Sequence, residues 1–564
     1  MNKSINSFLK ADNTGIKVLV LAPHEDDEIN IAGSFIYYMR ATGAEVFVVY
    51  ATNGDSSVRA EIRLREATNA LKVLGVDQKH IIVMGYGDSP SGEIGKHIFY
   101  EKFGKVKAQS GHAYTYGANG YLDYSFEKRK SHNEYNRVNY CEDLKSIILD
   151  VCADVILCVD YDSHADHRML SLSFDAVIGE ILSRKDNTYF PEIYKTFAYS
   201  LSYFSYDDLQ VCNNILSVKY PQPGKLQTYS NEVIDTSGWS WEYRKRFPVH
   251  EHCRENVFIS SNKVAKALAK HKSQRALLHT GEIVNGDSVY WRRRTDSISY
   301  QADSIVSSGN KKYLNDYKLI NSVDLTSCEY NDYIWTPSDE TPYFEYVWET
   351  EKDISLICIY GNVHGRGRIL RLGITFSDGF YTETGALPEK GIPLEIELDI
   401  HHVSWCRIQI LEACGEEYGI AECEVYESKD AISCLQPFIK IVINDDFAYE
   451  YYFTKNEKVF DFSVYQFGID APATCEIIKG SGEISDGILR LAGDQKEYII
   501  KASIQGTNIS DTIIFKKVDA VYKIRKLFGK KLWQIRIKSI YFYNWLCMIR
   551  GKIKQILIRK QYHD

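Results

Sequence analysis

Two short polar clusters hold the residues in this chain that could do chemistry. The first, Pro23-His24-Glu25-Asp26-Asp27-Glu28, sets a histidine and four consecutive acids directly after the apolar run 18–22. The second, Asp160-Tyr161-Asp162-Ser163-His164-Ala165-Asp166-His167-Arg168, follows the apolar run 155–159. A short apolar run closed by a turn signal reads as a buried strand. Both clusters lead into apolar residues at helical spacing, over 29–39 and from Met169 onward. Each cluster therefore occupies a strand-to-helix turn, at the carboxyl end of a strand, where open α/β sheets bind ligands. Histidines among carboxylates suit a metal hydrolase, in which Zn²⁺ takes three nitrogen or oxygen ligands and keeps a fourth position open. His24, Asp27 and His167 can supply the three. A helix dipole explains acids in a first turn, but not a histidine at a fixed offset before them.

The elements that must position these residues are legible as alternating β and α over residues 16–275. Residues 46–50 form a second apolar run, ending in Ala51-Thr52-Asn53-Gly54-Asp55. Residues 59–74 are helical in pattern and stop at Gly75, a common helix-ending residue. A third short strand, 81–84, precedes Gly85-Tyr86-Gly87-Asp88, and 140–151 is again helical. Such alternation predicts an α/β fold with a Rossmann-like, doubly wound, mostly parallel sheet. No GxGxxG follows the first strand, so no dinucleotide site is expected. Residues 86–136 are rich in Gly, Tyr, Ser, Lys and His without clear periodicity, and a loop this long is usually functional or mobile.

These motifs resemble the LmbE-like, or PIG-L type, family of zinc-dependent N-deacetylases. The family's Ala-His-Pro-Asp-Asp-Glu motif is matched by Ala22-Pro23-His24-Glu25-Asp26-Asp27-Glu28, with Glu25 between the histidine and the first aspartate. Its His-Pro-Asp-His motif is matched by His164-Ala165-Asp166-His167. Arg63-Leu64-Arg65-Glu66 through Leu74-Gly75-Val76 is similar to the family's helix, and Ala267 to Gln274 resembles its closing pattern. The resemblance implies an N-acetylated sugar as substrate, free or lipid-linked, with Arg63 and Asp88 as substrate contacts. Asn53, at a strand's carboxyl end, joins them as a substrate-binding candidate. The implied cofactor is Zn²⁺, and the same donor set accommodates Fe²⁺.

In this reading a bound Zn²⁺ lowers the pKa of water and polarises the amide carbonyl. Asp26 is the general base, because its side chain diverges from that of Asp27 and the site must stay open. His164, held protonated by Asp166, stabilises the oxyanion together with the metal.

At 564 residues the chain predicts several domains. Residues 1–275 form the deacetylase-like unit and 276–297 a connector, basic at Trp291-Arg292-Arg293-Arg294. Residues 298–427 switch to short alternating strands, expected as an all-β sandwich. They resemble a discoidin-type (galactose-binding-like) domain through Val306-Ser307-Ser308, Leu314-Asn315-Asp316, Trp335 and 418–426, a resemblance that fits scaffolding and glycan binding equally. Residues 436–518 read as one more small β domain, immunoglobulin-like by pattern. Over 520–564 a basic amphipathic tail follows. Residues 522–560 hold twelve Lys and Arg and no Asp or Glu, so the net charge of −8 rests on an acidic remainder. Trp533, Trp545 and bulky aliphatics among those cations favour an anionic membrane surface over nucleic acid. The longest uncharged stretch there, 539–549, is too short to span a bilayer. Thirteen scattered cysteines without a CxxC pair, and no apolar leader in 1–17, fit a cytoplasmic protein, peripheral on the membrane's inner face.

Two other readings compete. One is a non-catalytic glycan-binding protein with a degenerate first unit; the other is a hydrolase of a different small amide conjugate. The full set His24, Asp26, Asp27, His164 and His167 argues against degeneracy.

Overall fold

The apolar runs become strands covered on both faces. The computed structural model describes residues 12–90, 93–162, 164–198, 244–254, 262–279, 283–284, 286–320, 333–362, 367–388, 392–430, 437–524 and 527–528. In the first unit β1 (Lys17–Ala22), α1 (Asp27–Ala41), β2 (Glu45–Thr52), α2 (Ala60–Val73) and β3 (Ile81–Tyr86) alternate along the chain. They are followed by α3 (Tyr124–Arg129), α4 (Arg137–Val151), β4 (Val155–Val159), α5 (Ala165–Leu182) and β5 (Glu192–Thr196). β6 (Lys245–Phe247), α6 (Lys263–Leu268), α7 (Ala276–His279) and β7 (Ser288–Arg293) complete the unit. Among the described residues these strands form one sheet in the order β3-β2-β1-β4-β5-β7-β6. The first five are parallel and the last two antiparallel.

Parallel pairing needs crossover connections, and the crossover helices bury the sheet. That is why β1 and β4 carry apolar residues at every position past Lys17. The chain steps outward from β1 to β3, then returns to lay β4 on the other side of β1, from Val18↔Val155 to Leu21↔Cys158. This reversal opens a crevice at the carboxyl ends of β1 and β4. The expected open, mostly parallel sheet is what forms. The stretch 86–136, expected as an aperiodic loop, is packed down by buried Ile98, Phe99 and Tyr135 and by the pairing of Tyr114 with Glu134.

Residues 276–297, expected as a connector, instead supply β7, which pairs with both β5 and β6. The arginines of this basic stretch are buried between the first unit and the second. Arg292 lies 3.0 Å from Glu192 and 2.8 Å from Asp430. Arg293 meets Glu424 at 3.4 Å and stacks 3.9 Å over Tyr317. Arg294 pairs with Asp296 at 2.8 Å and stacks 3.8 Å over Tyr426. Counter-ions and aromatic faces recruited from distant sequence make that burial tolerable.

The second unit contains β8 (Ser304–Ser307), β9 (Tyr343–Gly361), β10 (Arg368–Phe376), β11 (Tyr381–Glu383), β12 (Leu394–Cys414) and β13 (Ile420–Tyr426). They form one antiparallel sheet, β11-β10-β12-β9-β13, with β8 on β9. The long β9 and β12 stay paired through register shifts between Glu397 and Trp405. Phe344 and Ile359, at opposite ends of β9, share one core with Leu372, Val403 and Val425. Where a sandwich was expected, the described strands form one continuous antiparallel sheet, interrupted by bulges between β9 and β12.

The third unit contains β14 (Phe438–Ile443), β15 (Asp446–Phe447), β16 (Glu450–Phe453), β17 (Val459–Phe467), β18 (Ala473–Lys479), β19 (Ser481–Ser485), β20 (Ile488–Ala492), β21 (Glu497–Ile504) and β22 (Ser510–Lys517). Two sheets, β15-β14-β17-β20-β19 and β16-β22-β21-β18, close on a shared core that includes Ile441, Phe453, Phe460, Ile500 and Phe515. Tyr449 ties this unit to the first, its ring 3.8 Å below the guanidinium of Arg254 and its hydroxyl 2.9 Å from Arg246. Most of the expected basic tail, 525–526 and 529–564, lies outside the described residues. No helix among the described residues is long and apolar enough to cross a membrane.

One buried cation gives this assembly a pH signature. Burial pushes the Lys440 ammonium down to about 8, although Asp511 at 2.9 Å favours its charge, with Arg246 and Arg254 opposing it. The unfolded chain keeps that proton to about pH 10.4. Above pH 8 the unfolded state therefore binds more protons, and stability rises with pH. The denaturant midpoint of the parent should climb from pH 8 to 9.5, by the equivalent of about 2 kcal/mol, and Lys440→Met should flatten that climb. An identical climb in the variant would remove Lys440 as its source.

Candidate metal centre and active site

β1 and β4 are hydrogen-bonded neighbours, so their two polar turns meet. His24 Nδ1 lies 3.1 Å from Asp27 Oδ2 and 3.2 Å from His167 Nε2. The triangle closes with 3.2 Å between His167 Nε2 and Asp27 Oδ2. All three residues are buried. Donors held about 2.0 Å from a tetrahedral ion lie about 3.3 Å from one another, so this triangle has the size of one face of a zinc site. Three buried electron-pair donors this close repel one another unless a proton or a cation lies among them. The residues expected as metal ligands therefore fit a divalent ion.

The groups behind them fit as well. His167 Nδ1 is 2.8 Å from Asp162 Oδ2, and His24 Nε2 is 3.5 Å from Asp166 Oδ2. Asn30 donates to Asp27 Oδ1 at 3.2 Å, leaving Oδ2 for the triangle. Carboxylates behind ligating imidazoles fix their tautomer and orientation. The electrostatics agree. Burial would lower His167, but Asp162 and Asp27 hold it up at about 9. Burial would raise Asp27, but His167 and His24 hold it well below the usual carboxylate range. His164 also belongs to the cluster, its ring 4.7 Å from that of His167, and a second group of possible donors joins His24 to Asp88 and Asp166. The triangle through Asp27 is the tighter arrangement.

Asp26 occupies a strained turn. Its φ of 137° lies outside the regions that L residues prefer, a distortion of about 1–3 kcal/mol that surrounding contacts must hold. Its N–H donates to Glu28 Oε2 at 2.9 Å, and Glu28 Oε1 is 2.9 Å from His271 Nε2. Arg63 donates to the Glu25 carbonyl at 2.8 Å and to Asp26 Oδ1 at 3.2 Å. The turn separates two adjacent side chains: Asp27 is 2 % exposed on the triangle, whereas Asp26 is 21 % exposed beside it. Burial, and then the charge of Asp27, push Asp26 up to about 6 against the pull of Arg63. Glu25 is wholly buried, its Oε2 3.3 Å from Arg63 Nε. Gly54, at φ +57°, must be glycine, since a Cβ there would come within 2.4 Å of Glu25 and 2.5 Å of Arg63.

Three sequence expectations change. Asp166, expected to hold His164, has its Oδ2 3.9 Å from His164 Nδ1, and its carboxylate lies closer to His24 at 3.5 Å, to His97 at 3.3 Å and to the Ser89 N–H at 3.2 Å. Its backbone N–H donates to His164 Nδ1 at 3.2 Å, capping α5. Burial, with the charges of His167 and His24, pushes His164 down to about 4, so it is not held protonated. Arg63, expected as a substrate contact, is buried and turned inward to brace the Asp26 turn, because Glu25, Asp26 and Gly54 all lie against it. Asn53 is fully buried and donates to the Tyr116 carbonyl at 2.9 Å, pinning the 86–136 stretch to the sheet edge. Asp88 does reach the site: its Oδ1 is 3.9 Å from His24 Nε2 and accepts from Thr52 at 2.8 Å. Asp162, His97, Glu28 and His271 were not singled out from sequence. Asp162 stood in view in the second polar turn, whereas His97 lies in a stretch with no pattern to mark it.

Residues 19–178 match the family model described as PIG-L, GlcNAc-PI de-N-acetylase. Over those residues the chain is similar to the PIG-L type. Residues 299–426 match a domain of unknown function (DUF7402), and that match names no ligand. No curated protein matches the chain. Among solved structures, the N,N′-diacetylchitobiose deacetylase of Pyrococcus horikoshii is 17% identical, over 50% of this chain and 84% of its own, with a TM-score of 0.26. A zinc-inhibited teicoplanin deacetylase is 14% identical, over 49% and 98%, at 0.29. A deacetylase of the A40926 pseudoaglycone is 13% identical, over 50% and 98%, at 0.29.

Metal content tests the triangle directly. His167→Ala and Asp27→Ala should each purify with less than about a tenth of the parent's metal, while His164→Ala keeps it. Asp162→Asn should weaken binding roughly 10–100-fold. A full equivalent of metal in His167→Ala, by elemental analysis of the folded protein, would refute this ligand set.

Proposed function

We propose that the first unit is a metal-dependent amide hydrolase that removes the acetyl group from an N-acetylhexosamine carried on a glycan or a lipid. The observation that carries this reading is the donor triangle with Asp26 beside it, inside a deacetylase-type domain. The matched family description names N-acetylglucosamine on a phosphatidylinositol lipid, which supports a sugar amide and favours a lipid-linked carrier.

Zn²⁺ or Fe²⁺ held by His24, Asp27 and His167 would supply Lewis acidity, lowering the pKa of water and polarising the acetamide carbonyl. The chain's own residues do the rest. Asp26, pinned through one oxygen by Arg63, takes a proton from the attacking water with the other. His164 accepts the Asp166 N–H at Nδ1, which leaves the proton of a neutral ring on Nε2. That N–H is a donor for the oxyanion of the tetrahedral intermediate, so no imidazolium is needed. Asp26 then returns its proton to the departing amine. Asp88, buried beside His24, is the nearest candidate to accept a sugar hydroxyl.

The deciding assay is acetate release from a panel of N-acetylhexosamines, including polyprenyl-diphosphate-linked sugars, with and without a chelator. Release that depends on metal is expected. Fully metal-loaded protein that releases acetate from no member of the panel would move the substrate outside acetylated sugars. Asp26→Asn should lose roughly 10²–10⁴-fold in kcat while keeping its metal. His271→Ala should lose roughly 10–100-fold in kcat with little change in KM, because it releases Glu28 from the strained turn and misaims Asp26.

A further inference from the structure

We propose that a cleft at the edge of the first sheet opposite the metal donors binds an amino sugar. The cleft has a volume of about 410 Å³ and lies at the amino ends of β4 and β5, where the second unit packs against the first. Its walls come from Cys152 and Asp154 before β4, from Tyr189, Phe190 and Glu192 at the start of β5, and from 292–296 at the end of β7. Ligand sites run from about 300 to 1,000 Å³ and combine apolar surface with a few placed polar groups. The 5 residues of β4, at about 3.3 Å each, set this cleft roughly 17 Å from the turn that carries His167. It is therefore a place apart from the donor triangle.

The groups left open in the cleft identify its occupant. Its guanidiniums are already answered. Arg292 forks onto Glu192 at 3.0 and 3.3 Å and reaches Asp430 at 2.8 Å. Arg294 forks onto Asp296 at 2.8 Å and directs its other N–H groups to Ser428 and the Asp430 carbonyl. Lys17, beside the wall, turns its ammonium to the Val151 carbonyl at 3.4 Å. The carboxylates of Asp154, Glu192, Asp296 and Asp430 outnumber these cations, and each carboxylate has more acceptor sites than one bond fills. An anionic ligand is therefore disfavoured, and one that brings positive charge with N–H and O–H donors is favoured. Phe190, 43% exposed, and Tyr189, whose hydroxyl donates to the Ala153 carbonyl at 2.9 Å, add aromatic rings. Their electron-rich faces attract an ammonium and polarised C–H groups. Hydroxyls, an ammonium and an apolar ring face in one molecule describe a hexosamine without its acetyl group. The deacetylase reading supplies such a molecule as product, so the source of the ligand rests on that reading while the cleft does not.

Cys152 is an exposed thiol on the cleft wall and reports on its occupancy. The full chain is alkylated with iodoacetamide at constant ionic strength, and the rate at each cysteine is read by peptide mass spectrometry. Saturating glucosamine should slow Cys152 at least about threefold, while Cys414, exposed in the second unit, keeps its rate. N-acetylglucosamine, glucose and putrescine at the same concentration should protect less, because each lacks either the ammonium or the hydroxylated ring. Phe190→Ala should lose the protection and keep the parent's acetate release. Asp154→Asn should weaken the protection without unfolding the chain, since Asn can still accept the Lys17 N–H that Asp154 takes at 2.9 Å. Unchanged labelling of Cys152 in glucosamine would overturn the proposal. So would equal slowing of Cys414, equal protection by putrescine, or full protection in Phe190→Ala. A parent that is protected but releases no acetate would sink the catalytic reading and leave the cleft as a site for an amino sugar made elsewhere.

Discussion

Three buried electron-pair donors held 3.1–3.2 Å apart form the constraint on which the first unit depends. Such a cluster is stable only when something positive shares it. The surroundings serve that purpose at every level. β4 returns to lie beside β1, so that residues 143 positions apart come together. Asp162 and Asp166 stand behind the two imidazoles. Loop residues such as His97 and Ser89 in turn hold Asp166.

A second constraint follows from covalent geometry. Asp26 and Asp27 are adjacent, yet one lies in the donor triangle and the other stands beside it. An ordinary first helical turn would not divide them so sharply. The chain resolves this with backbone strain at Asp26, held on one side by Glu28 and His271 and on the other by Arg63. Arg63, which sequence reasoning would assign to substrate, is thereby used to orient Asp26. His271 lies just beyond α6, so a late part of the first unit closes over the first motif.

The β units are joined to the first by buried charge rather than by a purely apolar seam. Arg292, Arg293, Arg294 and Arg246 each meet an acid and, in most cases, an aromatic face from another unit. Breaking one member of such a pair leaves an uncompensated buried charge, so these contacts fix which surfaces may meet. The relative positions of the units are thereby specified by matched pairs.

The local signals in the sequence were sufficient for much of this. Apolar runs closed by His24-Glu25-Asp26-Asp27 and by His164-Ala165-Asp166-His167 determined the two strand-to-helix turns and the open sheet and marked the candidate donors, because periodicity and spacing act over a few residues. Strand content in 298–427 and 436–518 was legible for the same reason. What the tertiary structure alone decided is which groups answer one another. Asp166 serves His24 rather than its sequence neighbour His164, Arg63 braces the turn rather than reaching outward, His97 arrives from an unpatterned loop, and 288–293 is a strand rather than a connector. Each of these depends on strand order or on partners far beyond the local pattern, 38 residues from Arg63 to Glu25, 142 from His24 to Asp166 and 131 from Arg293 to Glu424. A buried arginine and a solvated one look the same in sequence until the partner that permits burial has been brought to it.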